Sequence, residues 1–130
     1  MAFSLCDHDE DADFEPLRPY IQTITQRVLA DGLPQGVCLN VNFPQKPFST
    51  PYQGVRVCRM AKGTWGSVVL RCHHPRGYDY WWMMGHYTND EPEAEDTDNW
   101  ALSHGYIAIT PTQIDVTAYQ ALDLIKSWNL

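Results

Sequence analysis

The sequence predicts an α/β fold. Three stretches carry that expectation: a helical stripe of apolar residues from Phe14 to Val28, the alternating run "GVCLNVNFP", and a second strand-like run, "YIAITP", near the end. At 130 residues the chain is one ordinary domain, able to bury roughly two-thirds of its unfolded surface. It is 44% hydrophobic, yet no apolar run approaches the ~18 residues of a membrane helix. The N-terminus lacks the basic and then apolar order of an export signal. Cys6, Cys38, Cys58 and Cys72 are widely and irregularly spaced, as reduced thiols would be and paired zinc ligands would not. A soluble, cytoplasmic protein is expected, with no membrane partner.

Each element has its own signal. "AFSL" is a short apolar strand, followed by the acidic cluster "CDHDEDADF". Phe14, Leu17, Ile21, Ile24 and Val28 recur at three- and four-residue steps, the buried face of a helix that ends near Asp31 and Gly32. Pro16 and Pro19 blur its start. Val37, Leu39, Val41 and Phe43 alternate with Cys38, Asn40 and Asn42 in a strand stopped by Pro44. The proline-rich "FPQKPFSTP" reads as a connection, and "GVRVCR" as the next strand. The segment on to Gly77 reads as an exposed excursion or hairpin, "YDYWWMMGHYT" as one strand, and "EPEAEDTD" as a solvated acidic loop. Thr97 or Asp98 caps a short helix that runs through Ser103 and ends at Gly105. "YIAITP" is then a strand stopped by Pro111, and Thr117 caps a last helix with Leu122, Ile125 and Trp128 inside.

Charge is unevenly placed. The net charge of −7 divides into −5 over the first 31 residues, +6 over residues 32–78 and −8 from Asp79 onward. A basic centre can attract a phosphate-bearing ligand or pair with the chain's own acidic flanks; on composition self-pairing leads. Nucleic acid is not an expected partner, because the acidic flanks would repel a polyanion.

The cluster Asp7, His8, Asp9, Glu10, Asp11 and Asp13 looks like a metal site but fails the calcium-loop test. Begun at Asp7, such a loop would have Ala12 where glycine makes the turn and Arg18 where a bidentate carboxylate is needed. An acidic loop feeding a helix start is the leading reading. His73 and His74 beside Cys72 would point to opposite faces of a strand, with no second ligand pair at a usual spacing. For the run Tyr78, Tyr80, Trp81 and Trp82, core or interface packing leads over base stacking. Phosphate loops, nucleophile elbows and dinucleotide fingerprints are absent from the sequence.

The strings "AFSLCDHDEDADF", "GLPQGVCLNVNFP", "GVRVCR", "YDYWWMMG" and "DTDNWALSHGYIAITPTQIDVTA" resemble, in order and spacing, the second half of the SurE (stationary-phase survival) family, over nearly the whole chain. The resemblance implies the C-terminal part of a three-layer αβα, Rossmann-like fold with a hairpin excursion and a C-terminal association tail, the N-terminal half being absent. On that reading residues 1–44 or so end the α/β core, about 54–95 form the strand and hairpin extension, and about 96–130 form a helix, strand and helix. It implies a metal-dependent phosphatase acting on nucleoside 5'- and 3'-monophosphates with Mg²⁺ or Mn²⁺, assembled as a homo-dimer or tetramer. The family's metal is held by two adjacent aspartates before a glycine, and no two aspartates are adjacent here. No catalytic or metal-binding residue is therefore carried over, no metal is expected on this chain alone, and inactivity of the isolated chain is expected. The alternative is a non-catalytic oligomerisation or interaction domain. Arg59, Lys62, Arg71 and Arg76 are the candidate contacts to substrate phosphate or to an interface.

Overall fold

A strand that alternates Val41 and Phe43 with Asn40 and Asn42 has one apolar and one polar face, so each side of its sheet needs a different cover. That requirement organises the fold seen in a computed structural model, which describes residues 1–45 and 52–128. The connection "FPQKPFSTP" lies largely outside the described residues.

In chain order the strands are β1 (Ala2–Leu5), β2 (Val37–Phe43), β3 (Val55–Val57), β4 (Gly63–Trp65), β5 (Val68–His73), β6 (Asp79–Met84), β7 (Tyr87–Asn89) and β8 (Ile107–Gln113). The helices are α1 (Arg18–Asp31), α2 (Asp98–Ser103) and α3 (Leu122–Lys126). β1, β2, β8 and β3 form one mixed sheet in that spatial order. β1 runs parallel to β2, β8 antiparallel to β2, and β3 parallel to β8.

Successive side chains of β8 face opposite ways, and the two helices use the two faces. On one face Leu17, Tyr20, Ile21 and Ile24 from the α1 region pack on Val41, Phe43 and Ile107. The rings of Tyr20, Phe43 and Tyr52 meet there at tilted or edge-on angles, with centroids 5.6–6.4 Å apart. On the other face Ala101 of α2 packs with Cys58 on Ala108. Helix, sheet and helix make three layers.

Four local expectations need correction. The helix does not begin at Phe14, which is exposed; a 3-10 turn at Glu15–Leu17 comes first. Pro16 and Pro19 lack N–H donors, so they fit only a first turn, and the regular helix starts between them at Arg18. Its end is as expected: Gly32 takes φ 74° and its N–H reaches the Val28 carbonyl at 3.0 Å. Pro111 does not stop β8 but sits inside it, opposite Leu39. β3 is paired only as far as Ile109, so from there β8 has a partner on one side and a missing N–H is tolerated. Thr117 does not cap the last helix. Its N–H donates to the Asp115 carboxylate, and a 3-10 turn at Tyr119–Ala121 leads into α3 without a side-chain cap. Leu122, Ile125 and Trp128, expected inside, are 41%, 43% and 56% exposed.

The fourth correction concerns "YDYWWMMGHYT", which is two strands of an arm. β5 pairs with β6 and β4 with β7, and one register runs without slippage from Gly63 opposite Asn89 to His73 opposite Asp79. At ~3.4 Å per residue this ribbon is about 34 Å long. It is interrupted only where Gly66 and Gly85 cross. A Cβ on Gly85 would collide with the Gly66 carbonyl oxygen, so the two backbones approach there because Gly85 has no side chain. The Gly85→Val chain is expected to part the strands at this crossing. Hydrogen exchange at the paired amides of β5 and β6 should then accelerate while α1 and β2 keep their protection; unchanged arm protection would contradict the close approach.

Candidate functional site

The arm joins the sheet through a charged junction built by the end of β3 and the start of α2. Thr97 takes an extended conformation and caps α2, its hydroxyl accepting the Trp100 N–H at 3.3 Å. Arg59 forms a parallel bridge with Thr97: its N–H donates to the Asp96 carbonyl and its carbonyl accepts the Asp98 N–H. This places the guanidinium between two carboxylates. Nε donates to Asp96 at 2.8 Å and Nη1 to Glu91 at 2.7 Å, while Nη2 donates to Glu91 at 3.1 Å and Asp96 at 3.0 Å. Two forked pairs on one arginine fix orientation as well as charge. The loop "EPEAEDTD" is therefore only partly a solvated loop; Glu91 is half-buried and holds the base of the arm.

Glu91 also accepts the Lys62 N–H at 2.9 Å. Hydrogen bonds from Arg59 first, and from that N–H second, hold its carboxyl at about 2, and the same pairing raises the Arg59 guanidinium. A carboxyl depressed on folding stabilises fully above its unfolded value, 4.5, and loses that contribution as pH falls toward 2. The Lys62 amide is thus expected to lose hydrogen-exchange protection across that acid window. Glu91→Gln should weaken the protection at neutral pH and abolish the acid step; an unaltered step in the variant would show that another group controls it.

The four basic candidates lie at three places. Arg59 and Lys62 share Glu91, Lys62 at 3.9 Å. Arg71, on β5, pairs with Asp79 across the ribbon, and His73 Nδ1 lies 2.9 Å from the other Asp79 oxygen. His73 first, and Arg71 second, lower the Asp79 carboxyl. Arg76 sits on the turn at the tip, free of any ion pair with the described residues. Self-pairing thus accounts for three of the four. β5 ends at His73, so His74 lies beyond the strand, where it stacks on Tyr78 at 4.5 Å.

A fifth cation, Arg56, was passed over in the sequence. Its guanidinium lies 4.8 Å from the Trp100 ring and 5.2 Å from that of Tyr106, and it has no carboxylate partner among the described residues. Only its alternation in "GVRVCR", which turns it toward the α2 face, could have singled it out.

The acidic cluster is turned upon its own backbone. Asp7 accepts the Asp9 N–H, Asp9 the Asp11 N–H and Asp13 the Glu15 N–H, at 2.9–3.1 Å, the last at the helix entry. Among the described residues no three His, Cys, Asp or Glu side chains are grouped to hold a metal ion. The donor set present does not fit a divalent metal.

Residues 1–67 match the model of a protein family described as "Survival protein SurE". This chain belongs to the SurE family. It is 54% identical over 130 residues to the 5'-nucleotidase SurE of Phocaeicola vulgatus, covering the whole of this chain and 49% of that protein. It is 45% identical to the 5'-nucleotidase SurE of Bacteroides fragilis, covering 50% of it. Among solved structures, the SurE protein from Aquifex aeolicus superposes with a TM-score of 0.70 and 29% identity, over 99% of this chain and 51% of that one. The α/β fold is thus that of SurE, and the chain spans about half the length of the curated SurE relatives it matches.

Proposed function

We propose that this chain is the C-terminal half of a SurE-type nucleotidase, a metal-dependent hydrolase of nucleoside 5'- and 3'-monophosphates in the cytoplasm. The observation that carries the reading is the joint match to proteins named 5'-nucleotidase SurE and to a SurE structure, each covering this chain almost entirely and about half of the other. Mg²⁺ or Mn²⁺, bound by the other half of such a protein, would polarise the phosphoryl group and activate water. What this chain supplies is scaffold and surface. β1 has a partner on one side only among the described residues, so its free edge and the Asn40 and Asn42 face of β2 are where further strands and helices would add.

The arm and the tail after Pro111 carry the proposed homo-oligomeric contacts, and Arg76 at the tip is the candidate for an anion, be it substrate phosphate or an acidic group of a neighbour. Arg59, Lys62 and Arg71 act instead to brace the arm. The alternative, a non-catalytic association domain, draws on the same arm, whose apolar side chains are exposed.

A Mn²⁺ titration discriminates. The 130-residue chain is compared with a chimera that joins it to the portion of the Phocaeicola vulgatus relative it does not match. Stoichiometric binding by the chimera alone supports the proposal. Stoichiometric binding by the chain itself, abolished by Asp9→Ala with Asp11→Ala, would overturn it.

A further inference from the structure

At the base of the arm, Met60, Ala61, Gly63, Trp65, Tyr87 and Asn99 line an open groove of about 480 Å³, within the range of small-ligand sites. Its walls are two aromatic rings and a thioether. Trp65 and Tyr87 are directly opposed in the ribbon register, with ring centroids 5.8 Å apart and planes inclined at 55°. Tyr87 lies across Gly63, where any Cβ would run into the ring. Its hydroxyl donates to the Ala61 carbonyl at 3.4 Å. The floor is fixed from below: one oxygen of Asp98 accepts the Ala61 N–H at 2.9 Å and the Asn99 N–H at 2.8 Å. Asn99, on the first turn of α2, lends the one side-chain amide, and that amide has no hydrogen-bond partner among the described residues.

An apolar, ring-lined slot with a single free amide suits a planar heterocycle that offers a donor and an acceptor side by side on one edge. Aromatic faces stack on it without regard to sequence, and a carboxamide can read its edge bidentately, as it does adenine. We infer that this groove binds a nucleobase, stacked on Trp65 with its hydrogen-bonding edge on Asn99. The choice of a nucleobase over other planar ligands rests on the nucleotidase reading; the binding itself requires no metal and no turnover.

Ligand-observed NMR on the 130-residue chain tests this with adenosine, uridine and ribose 5-phosphate. Adenosine is expected to bind, uridine more weakly, and ribose 5-phosphate not at all. Trp65→Ala should weaken adenosine at least about tenfold and Trp65→Phe should restore most of it, since each stacked base is worth about that much. Asn99→Leu should narrow the gap between adenosine and uridine with little change in far-UV circular dichroism. Trp65 is 69% exposed, so its loss leaves the core intact. Equal binding of ribose 5-phosphate, or adenosine binding untouched by both Trp65→Ala and Asn99→Leu, overturns the inference. Because no hydrolysis is measured, failure here leaves the nucleotidase reading standing, and inactivity of a chimera leaves this one standing.

Discussion

The Phe43→Ala chain is expected to lose about 3–5 kcal/mol of stability, a large fraction of what a small domain has. Phe43 is wholly buried and touches the Tyr20 and Tyr52 rings, so its removal leaves a cavity at the meeting point of α1 and the sheet. The core around it is small: Leu17, Val41 and Ile107 are its only other fully buried members among the described residues. Urea denaturation followed by circular dichroism measures the loss. Leu29→Ala, at a position 80% exposed on α1, is the matched control and should stay within about 0.5 kcal/mol of the parent. Equal loss in the two would mean that α1 does not pack as described.

Trp82→Glu is expected to have the largest effect on association. The ribbon register puts Val68, Leu70 and Cys72 of β5 on the same face as Tyr80, Trp82 and Met84 of β6, and that face carries no charged side chain. The opposite face is broken by Arg71, His73 and Asp79. Val68, Leu70, Trp82 and Met84 are each about half exposed, an apolar strip on a two-stranded ribbon that would be marginal in isolation. A carboxylate at its centre, opposite Leu70, should shift the chain to a smaller species in sedimentation velocity at micromolar concentration. Trp81→Glu, on the charged face, should shift it less. Two variants of equal and parent-like mass would remove the arm from the association surface.

The parts of the fold that were legible in the sequence are those set by local periodicity. β2 could be read because Val37 to Phe43 alternate without interruption, and α2 because Thr97 and Gly105 mark its two ends. What escaped depended on neighbours. Whether Pro111 ends a strand depends on how far β3 extends beside β8, which no local pattern records. The crossing at Gly66 and Gly85 depends on a register between residues far apart in the chain, so one apparent strand became two. Thr117 has the right residue type for a cap, but Asp115 forms a tighter local turn first, its carboxyl held at about 2 by the Thr117 and Tyr119 hydroxyls.

The candidate site shows the same division. That the basic centre would pair with the acidic flanks was legible from charge alone. That Arg59 would take both Glu91 and Asp96 was not, because the bridge to Thr97 that aims it joins residues 38 positions apart in the sequence. Arg56 shows the converse: it sits in the same basic run, yet it meets aromatic rings and has no carboxylate partner among the described residues.

Phosphate release from adenosine 5'-monophosphate in the presence of Mn²⁺ tests the central claim most directly, measured on the 130-residue chain and on its chimera with the remaining portion of the Phocaeicola vulgatus relative. Metal-dependent release by the chimera, with none from the chain alone, is the predicted result. A folded, Mn²⁺-binding chimera that releases no phosphate, or a chain that releases it unaided, would contradict the claim that this chain is the scaffold half of a nucleotidase.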